Sequence, residues 1–209
     1  MTLRKTGPFV CALAAVLAAG CLSLTRSYPE KHAYVLDAGR EGGGAPAAPG
    51  PVLRVMPFRA SPAFAGRGFV YRTADDEYRA DFYNEFFAPP DRLVTEEVRQ
   101  WLGASGLFGT VVSSAAQVEA DYALEGVVSA LYGDYREPGA PRAVLKLEML
   151  LVADPLTDPR VAKWVTCEET AALDDVSPAA LVRGWNEALR RALQALELAM
   201  AEADLTPAP

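Results

Sequence analysis

The chain contains one histidine among its 209 residues, His32. Ser–His and Cys–His nucleophilic schemes need a histidine that a rigid scaffold holds beside the nucleophile. His32 falls instead in a stretch that reads as a tether ahead of the first strand. A single histidine also excludes a histidine-rich zinc site. Cysteine is nearly as scarce, with three in the chain. Cys11 and Cys21 belong to an apolar leader and its end, so Cys167 stands alone in the domain. That excludes an intramolecular disulfide or a thiolate cluster. Cys167 lies in the strand-like Val165-Thr166-Cys167-Glu168 and reads as a buried structural thiol. No GxxxxGK(S/T) run is present, so the chain has no phosphate loop of that kind.

Basic charge is short as well. Lys and Arg number 20 against 27 Asp and Glu, a formal charge of −7. Such acidity argues against electrostatic capture of nucleic acid or of anionic lipid head groups. The acidic residues do not assemble a reaction centre either. Glu168-Glu169 and Asp174-Asp175 are adjacent pairs, and neighbours on a strand point to opposite faces. Asp75-Asp76-Glu77 lacks the ligand spacing of an EF-hand loop and reads as a hairpin turn. The expectation is no catalytic residue, no metal site and no cofactor.

The leader is informative. Arg4 and Lys5 open it, Phe9 to Leu17 is uninterrupted and apolar, and Ala18-Ala19-Gly20 supplies small side chains before Cys21. A membrane-spanning helix needs about 20 apolar residues, and here polar Ser23, Thr25, Arg26 and Ser27 are followed by Pro29. This is the anatomy of a secretory signal. Val16-Leu17-Ala18-Ala19-Gly20-Cys21 resembles a bacterial lipoprotein signal, in which the Cys becomes an acylated N-terminus. That resemblance makes residues 1–20 a signal peptide and Cys21 the lipidation site. Leu22, where Asp would favour inner-membrane retention, points to the outer membrane of a Gram-negative source. Loss of Arg4 and Lys5 takes the charge from −7 to −9, so attachment depends on acyl chains, each buried CH₂ contributing about 0.8 kcal/mol.

Residues 21–32 read as a tether, 33–204 as one domain and 205–209 as a disordered tail. The spacing predicts strands at 34–37, 52–58, 68–72 and 78–83, the last two forming a hairpin. A helix follows Pro89-Pro90-Asp91, with Val94, Val98, Trp101 and Leu102 on one face and Gly103 as its stop. Strands at 107–112, 121–135, 144–152 and 161–171 come next. In 144–152, Leu145, Leu147, Met149 and Leu151 alternate with polar positions, as a sheet with one covered face requires. Ser177 and Pro178 open a final helix whose stripe runs through Leu181, Trp185, Ala188, Ala192 and Leu196. This order predicts a two-layer α+β domain: a largely antiparallel sheet with two amphipathic helices on one face. Trp101 and Trp185 are expected core anchors. Phe82, Tyr83, Phe86 and Phe87 crowd just before the first helix. They either plug the end of the core or form an exposed aromatic patch for a partner or a neighbouring subunit.

These landmarks resemble the ABC-type transport auxiliary lipoproteins, the group that includes PqiC-type partners of Mce lipid-transport systems. They are Cys21, Tyr34-Val35-Leu36-Asp37, Leu53-Arg54-Val55, Phe69-Val70-Tyr71-Arg72, the run from Phe82 to Pro90, and Trp101-Leu102. The resemblance implies a non-enzymatic outer-membrane lipoprotein facing the periplasm. Its partners would be Mce-type and ABC transporter components, with a homo-oligomer as a further option, and the ATPase would be a separate protein. A lipoprotein that scaffolds envelope biogenesis or a secretion apparatus is the second class considered.

Overall fold

The computed structural model describes residues 30–40, 49–203 and 205. Residues 1–29 with Cys21, 41–48, 204 and 206–209 lie outside them; Leu205, expected to open the disordered tail, instead packs partly buried against the core. The described elements are β1 His32–Tyr34, β2 Val52–Val55, β3 Arg59–Ala60, β4 Gly68–Ala74, β5 Glu77–Phe86, α1 Pro90–Gly103, β6 Thr110–Ser113, β7 Tyr122–Asp134, β8 Arg142–Ala153, β9 Arg160–Ala172 and α2 Pro178–Ala201. A short 3-10 turn, Pro62–Phe64, sits between β3 and β4.

The domain is α+β. β7 organises the sheet. Along one edge it pairs antiparallel with β8, from Tyr122↔Ala153 to Asp134↔Arg142, and β8 pairs antiparallel with β9. Along its other edge β7 takes three strands in succession, all parallel: β2 at Leu53↔Tyr122, β3 at Arg59↔Val127 and β4 at Tyr71↔Gly133. β6 adds parallel to β2, β5 closes an antiparallel hairpin on β4, and β1 adds parallel to β5.

The expected largely antiparallel sheet is therefore corrected to a mixed one. Five of the eight described pairings are parallel. Alternation of apolar and polar residues reports a covered face and carries no information about strand direction. The long segments joined by short turns, β4–β5 and β7–β8–β9, are the antiparallel part. The short strands β1, β2, β3 and β6 need crossovers to pair parallel, and α1 lies on the crossover from β2 to β7. β1 also starts earlier than expected, so His32 is not in a tether; it is exposed on β1, opposite Asn84. The strand expected at 107–112 begins only at Thr110.

The core forms where the periodicity placed it. Leu145, Leu147, Met149 and Leu151 are buried, as are Val94, Val98, Trp101 and Leu102 of α1 and Leu181, Trp185, Ala188, Ala192 and Leu196 of α2. Sheet and helices share one cluster. Trp185 is fully buried, edge-on to Phe69 at 4.9 Å and 5.2 Å from Phe86, and its indole N–H donates to the Tyr132 carbonyl at 3.3 Å. Cys167 is a buried free thiol 3.6 Å from the Ala192 carbonyl, and burial raises its pKa. The Ser177 hydroxyl caps α2 by accepting the Ala180 N–H at 3.1 Å.

After β1 the chain straps both helices. The Asp37 N–H donates to Asn186 Oδ1 of α2 at 3.0 Å and the Ala38 N–H to Glu97 Oε2 of α1 at 2.8 Å. Arg40 then grips Glu197 of α2 with two hydrogen bonds of 2.7 and 3.0 Å. Glu197 also accepts the Trp101 indole N–H at 2.7 Å, and the Arg40 guanidinium lies 4.9 Å from the Trp101 ring. The Arg40 hydrogen bonds hold the Glu197 carboxyl below its ordinary range, outweighing burial, with Trp101 assisting. A carboxylate with a depressed folded-state pKa contributes stability above its unfolded value and loses it as pH falls through the folded one. Glu197→Gln is expected to lower unfolding free energy at neutral pH by about 2 kcal/mol, since it weakens hydrogen bonds made to a charge. It should also flatten the loss of stability below the ordinary Glu range. Urea titrations of both chains at neutral and acid pH read both effects.

Candidate functional site

The β4–β5 hairpin is irregular where it matters. Its register passes from Val70↔Ala80 to Gly68↔Glu85, so residues 81–84 of β5 stand opposite Phe69 alone. This bulge is held by one carboxylate. Asp81 Oδ1 accepts the backbone N–H groups of Tyr83 at 2.7 Å and Asn84 at 3.0 Å. Its Oδ2 accepts the Tyr71 hydroxyl at 2.7 Å and the Asn84 amide at 2.8 Å. Burial by itself would raise the Asp81 pKa. The Tyr71 and Asn84 side chains and the two backbone amides outweigh it and hold the carboxyl below its ordinary range. Gly68 makes room for the bulge, because a Cβ there would stand 2.6 Å from the Asp81 carbonyl oxygen. Beneath lies Phe69, fully buried and packed on Tyr34 at 5.2 Å and Phe86 at 4.8 Å.

The bulge presents aromatic rings to solvent. Phe82 is 69% exposed and Phe87 70%, with Tyr83 exposed beside Phe82 at 5.2 Å between ring centroids. The Lys31 ammonium sits 4.5 Å from the Phe82 ring centroid and 3.8 Å from Glu85, which also accepts Arg67 at 2.9 Å. The Phe87 N–H donates to the Tyr34 carbonyl at 2.7 Å, next to exposed Val35. Phe86 leaves the expected group. It is buried against Trp185, because neighbours at the end of a regular strand must face opposite ways. Phe86 plugs the core, as the first of the two readings has it; Phe82, Tyr83 and Phe87 are exposed, which the second reading requires.

A second exposed surface was not anticipated. β9 pairs with β8 alone among the described strands, leaving its far edge open. Near its end the Arg191 guanidinium covers the Thr170 carbonyl at 2.8 Å. Trp164 is 66% exposed, in register with Leu150 of β8, and Val161 is exposed nearby. Parity was the available signal: Val165 and Cys167 face the core, so Trp164 and Thr166 must face away from it. The adjacent carboxylates behave as the strand geometry requires. Glu168 pairs with Lys146 and Glu169 with Arg191 of α2, on opposite faces.

A groove of about 480 Å³ is lined by Arg40, Trp101, Leu107, Gln194, Glu197 and Leu198. Its Arg40, Glu197 and Trp101 polar groups satisfy one another. Among the described residues, no group of three or more His, Cys, Asp or Glu side chains is placed to hold a metal ion.

No protein-family model and no curated protein matches the chain. Solved structures do. A Xanthomonas campestris protein described as DUF330 superposes with a TM-score of 0.64 at 18% identity, over 80% of this chain and 91% of that one. An uncharacterised protein superposes with a TM-score of 0.62 at 18% identity, over 82% of this chain and 98% of that one. The shared property is the fold.

The bulge yields its own test. Asp81→Ala removes a charged acceptor from four donors and should cost about 2 kcal/mol. Hydrogen exchange should show faster exchange at the Tyr83 and Asn84 amides while the β8 amides stay protected. Because the Asp81 pKa is depressed in the fold, the wild-type bulge should loosen in the same way as pH falls through that value, and not on raising it.

Proposed function

We propose that the chain is a non-enzymatic, lipid-anchored auxiliary protein of the bacterial envelope. In this reading Cys21 carries the acyl chains and the domain faces the periplasm from the outer membrane. It serves an ABC-type, Mce-linked lipid-transport system whose ATPase is another protein. The observation that supports it most is the separation of two sheet edges. β1, the first strand after Cys21, lies at one end of the path β1-β5-β4-β7-β8-β9, and the open edge of β9 lies at the other. Five strand spacings of about 4.8 Å put roughly 24 Å between them. A docking subunit tethered at one edge has its opposite edge free for a partner.

The chemistry of β9 suits that role. An open strand edge accepts an extended segment through backbone hydrogen bonds, and Trp164 is the kind of side chain that anchors such contacts. The occupant in this reading is a transport component, with a second copy of the chain able to use the same edge. Cys21→Ser should release a folded domain into the soluble periplasmic fraction. A variant that stays on the membrane after a salt wash would remove the lipid anchor from the proposal. A photo-crosslinking residue at position 164 should capture an Mce-type or permease component in native envelopes. Trp164→Ala should reduce co-purification of that component without moving the melting temperature, since the side chain is exposed. Recovery of no transport component at position 164 would sink the transport assignment.

A further inference from the structure

We infer that the aromatic strip on β1 and β5 rests in the headgroup region of the bilayer that holds Cys21. This makes the lipid surface a second contact, one that orients the domain. The inference rests on the lipid-anchor reading above and adds a site to it.

The strip is continuous. Lys31 lies over Phe82 and pairs with Glu85; Glu85 of β5 is two residues from Phe87, just past the end of that strand, and Phe87 adjoins Val35 beyond β1. It is also rigid, because Asp81 fixes the bulge and Phe69 nails it to the core. Its chemistry is that of a membrane interface: aromatic rings, one of them a tyrosine, and a lysine whose stem can lie along them while its ammonium reaches water. Its charges balance locally: Glu85 takes both Lys31 and Arg67, and the Asp81 carboxylate of the same bulge supplies the second negative charge. The strip therefore neither repels anionic head groups nor depends on them.

Position and size select lipid over protein as the occupant. Ten residues separate Cys21 from β1, and even fully extended they reach only about 35 Å. The edge that this tether joins is the edge that carries the strip. Phe82, Tyr83, Phe87 and Val35 together expose roughly 450 Å². That is about half of the ~800 Å² per partner that a specific protein interface buries. A domain already held by acyl chains needs no more to choose an orientation.

The test uses the full lipidated chain in vesicles of phosphatidylethanolamine and phosphatidylglycerol. Phe82→Cys, Phe87→Cys and, as a control on β9, Thr166→Cys each carry an environment-sensitive fluorophore. Cys167 is buried and Cys21 acylated in this reading, so neither competes for the label. Doxyl lipids spin-labelled near the head group should quench the labels at positions 82 and 87 severalfold more than at 166, with or without high salt. Equal quenching at all three positions would overturn the inference, as would none at 82 and 87. Crosslinking of 82 or 87 to a protein in native envelopes, with no lipid quenching, would overturn it and assign the strip to that protein. The mass of the Cys21 peptide separates the two proposals. Absence of acyl chains sinks the anchor reading, whereas acylation without quenching at 82 and 87 sinks only this one.

Discussion

The domain hangs on backbone hydrogen bonding along both edges of β7. A strand of 13 residues has one edge filled by β8 and the other shared among β2, β3 and β4, each short and each parallel to it. None of these three could form a sheet alone, because two- to seven-residue strands bury too little to be stable unpaired. β7 accommodates them by bending: its register shifts between Val128 and Ala130, between the seats of β3 and β4. Gly126 leaves room for the ring of Phe58, which would lie 2.3 Å from any Cβ there. β4 then carries β5, and β5 carries β1. The position of the aromatic strip thus descends, strand by strand, from β7.

Much of this was legible in the sequence, and the division has a physical basis. Helix faces and covered strand faces are local periodicities, so the stripes of α1, α2 and β8 read directly from Val94, Val98, Trp185 and the alternation through Leu147. Parallel pairing is nonlocal. Nothing in Val52-Leu53-Arg54-Val55 announces that it will lie beside Tyr122 and Thr110. The strap is nonlocal too: Arg40 and Glu197 are 157 positions apart, and neither carries a motif. His32 lacked a strand signal because β1 is three residues long and exists by pairing with β5.

The aromatic residues show the distinction most sharply. Phe82, Tyr83, Phe86 and Phe87 were visible as a crowd, but a crowd has no faces until the strand is placed. Regular alternation separates Phe86 from Phe87. The bulge suspends that alternation at residues 81–84, which is why Phe82 and Tyr83 can both be exposed. Trp164 shows the converse. Its parity was readable from Val165 and Cys167, whereas the openness of the β9 edge became readable only with the whole sheet.

On the proposed lipid-anchor reading, the strap and the bulge give a small acidic domain a means of holding one orientation at a membrane surface. Electrostatics would not bring it there, since its acidic excess opposes an anionic leaflet. A covalent anchor supplies affinity but leaves rotation free. Direction has to come from a rigid feature near the anchored edge, and rigidity there is not guaranteed, because terminal strands fray. Asp81 binds the bulge of β5 to Tyr71 of β4, and residues 36–40 bind the segment after β1 to both helices. Each tie includes a carboxylate whose pKa is held low, Asp81 in one case and Glu197 in the other, while burial raises that of Glu97, the strap's acceptor for the Ala38 N–H. The edge at which the chain arrives from Cys21 is therefore locked to the core at neutral pH, and an orientation imposed there is transmitted through β4, β7 and β8 to the free edge of β9.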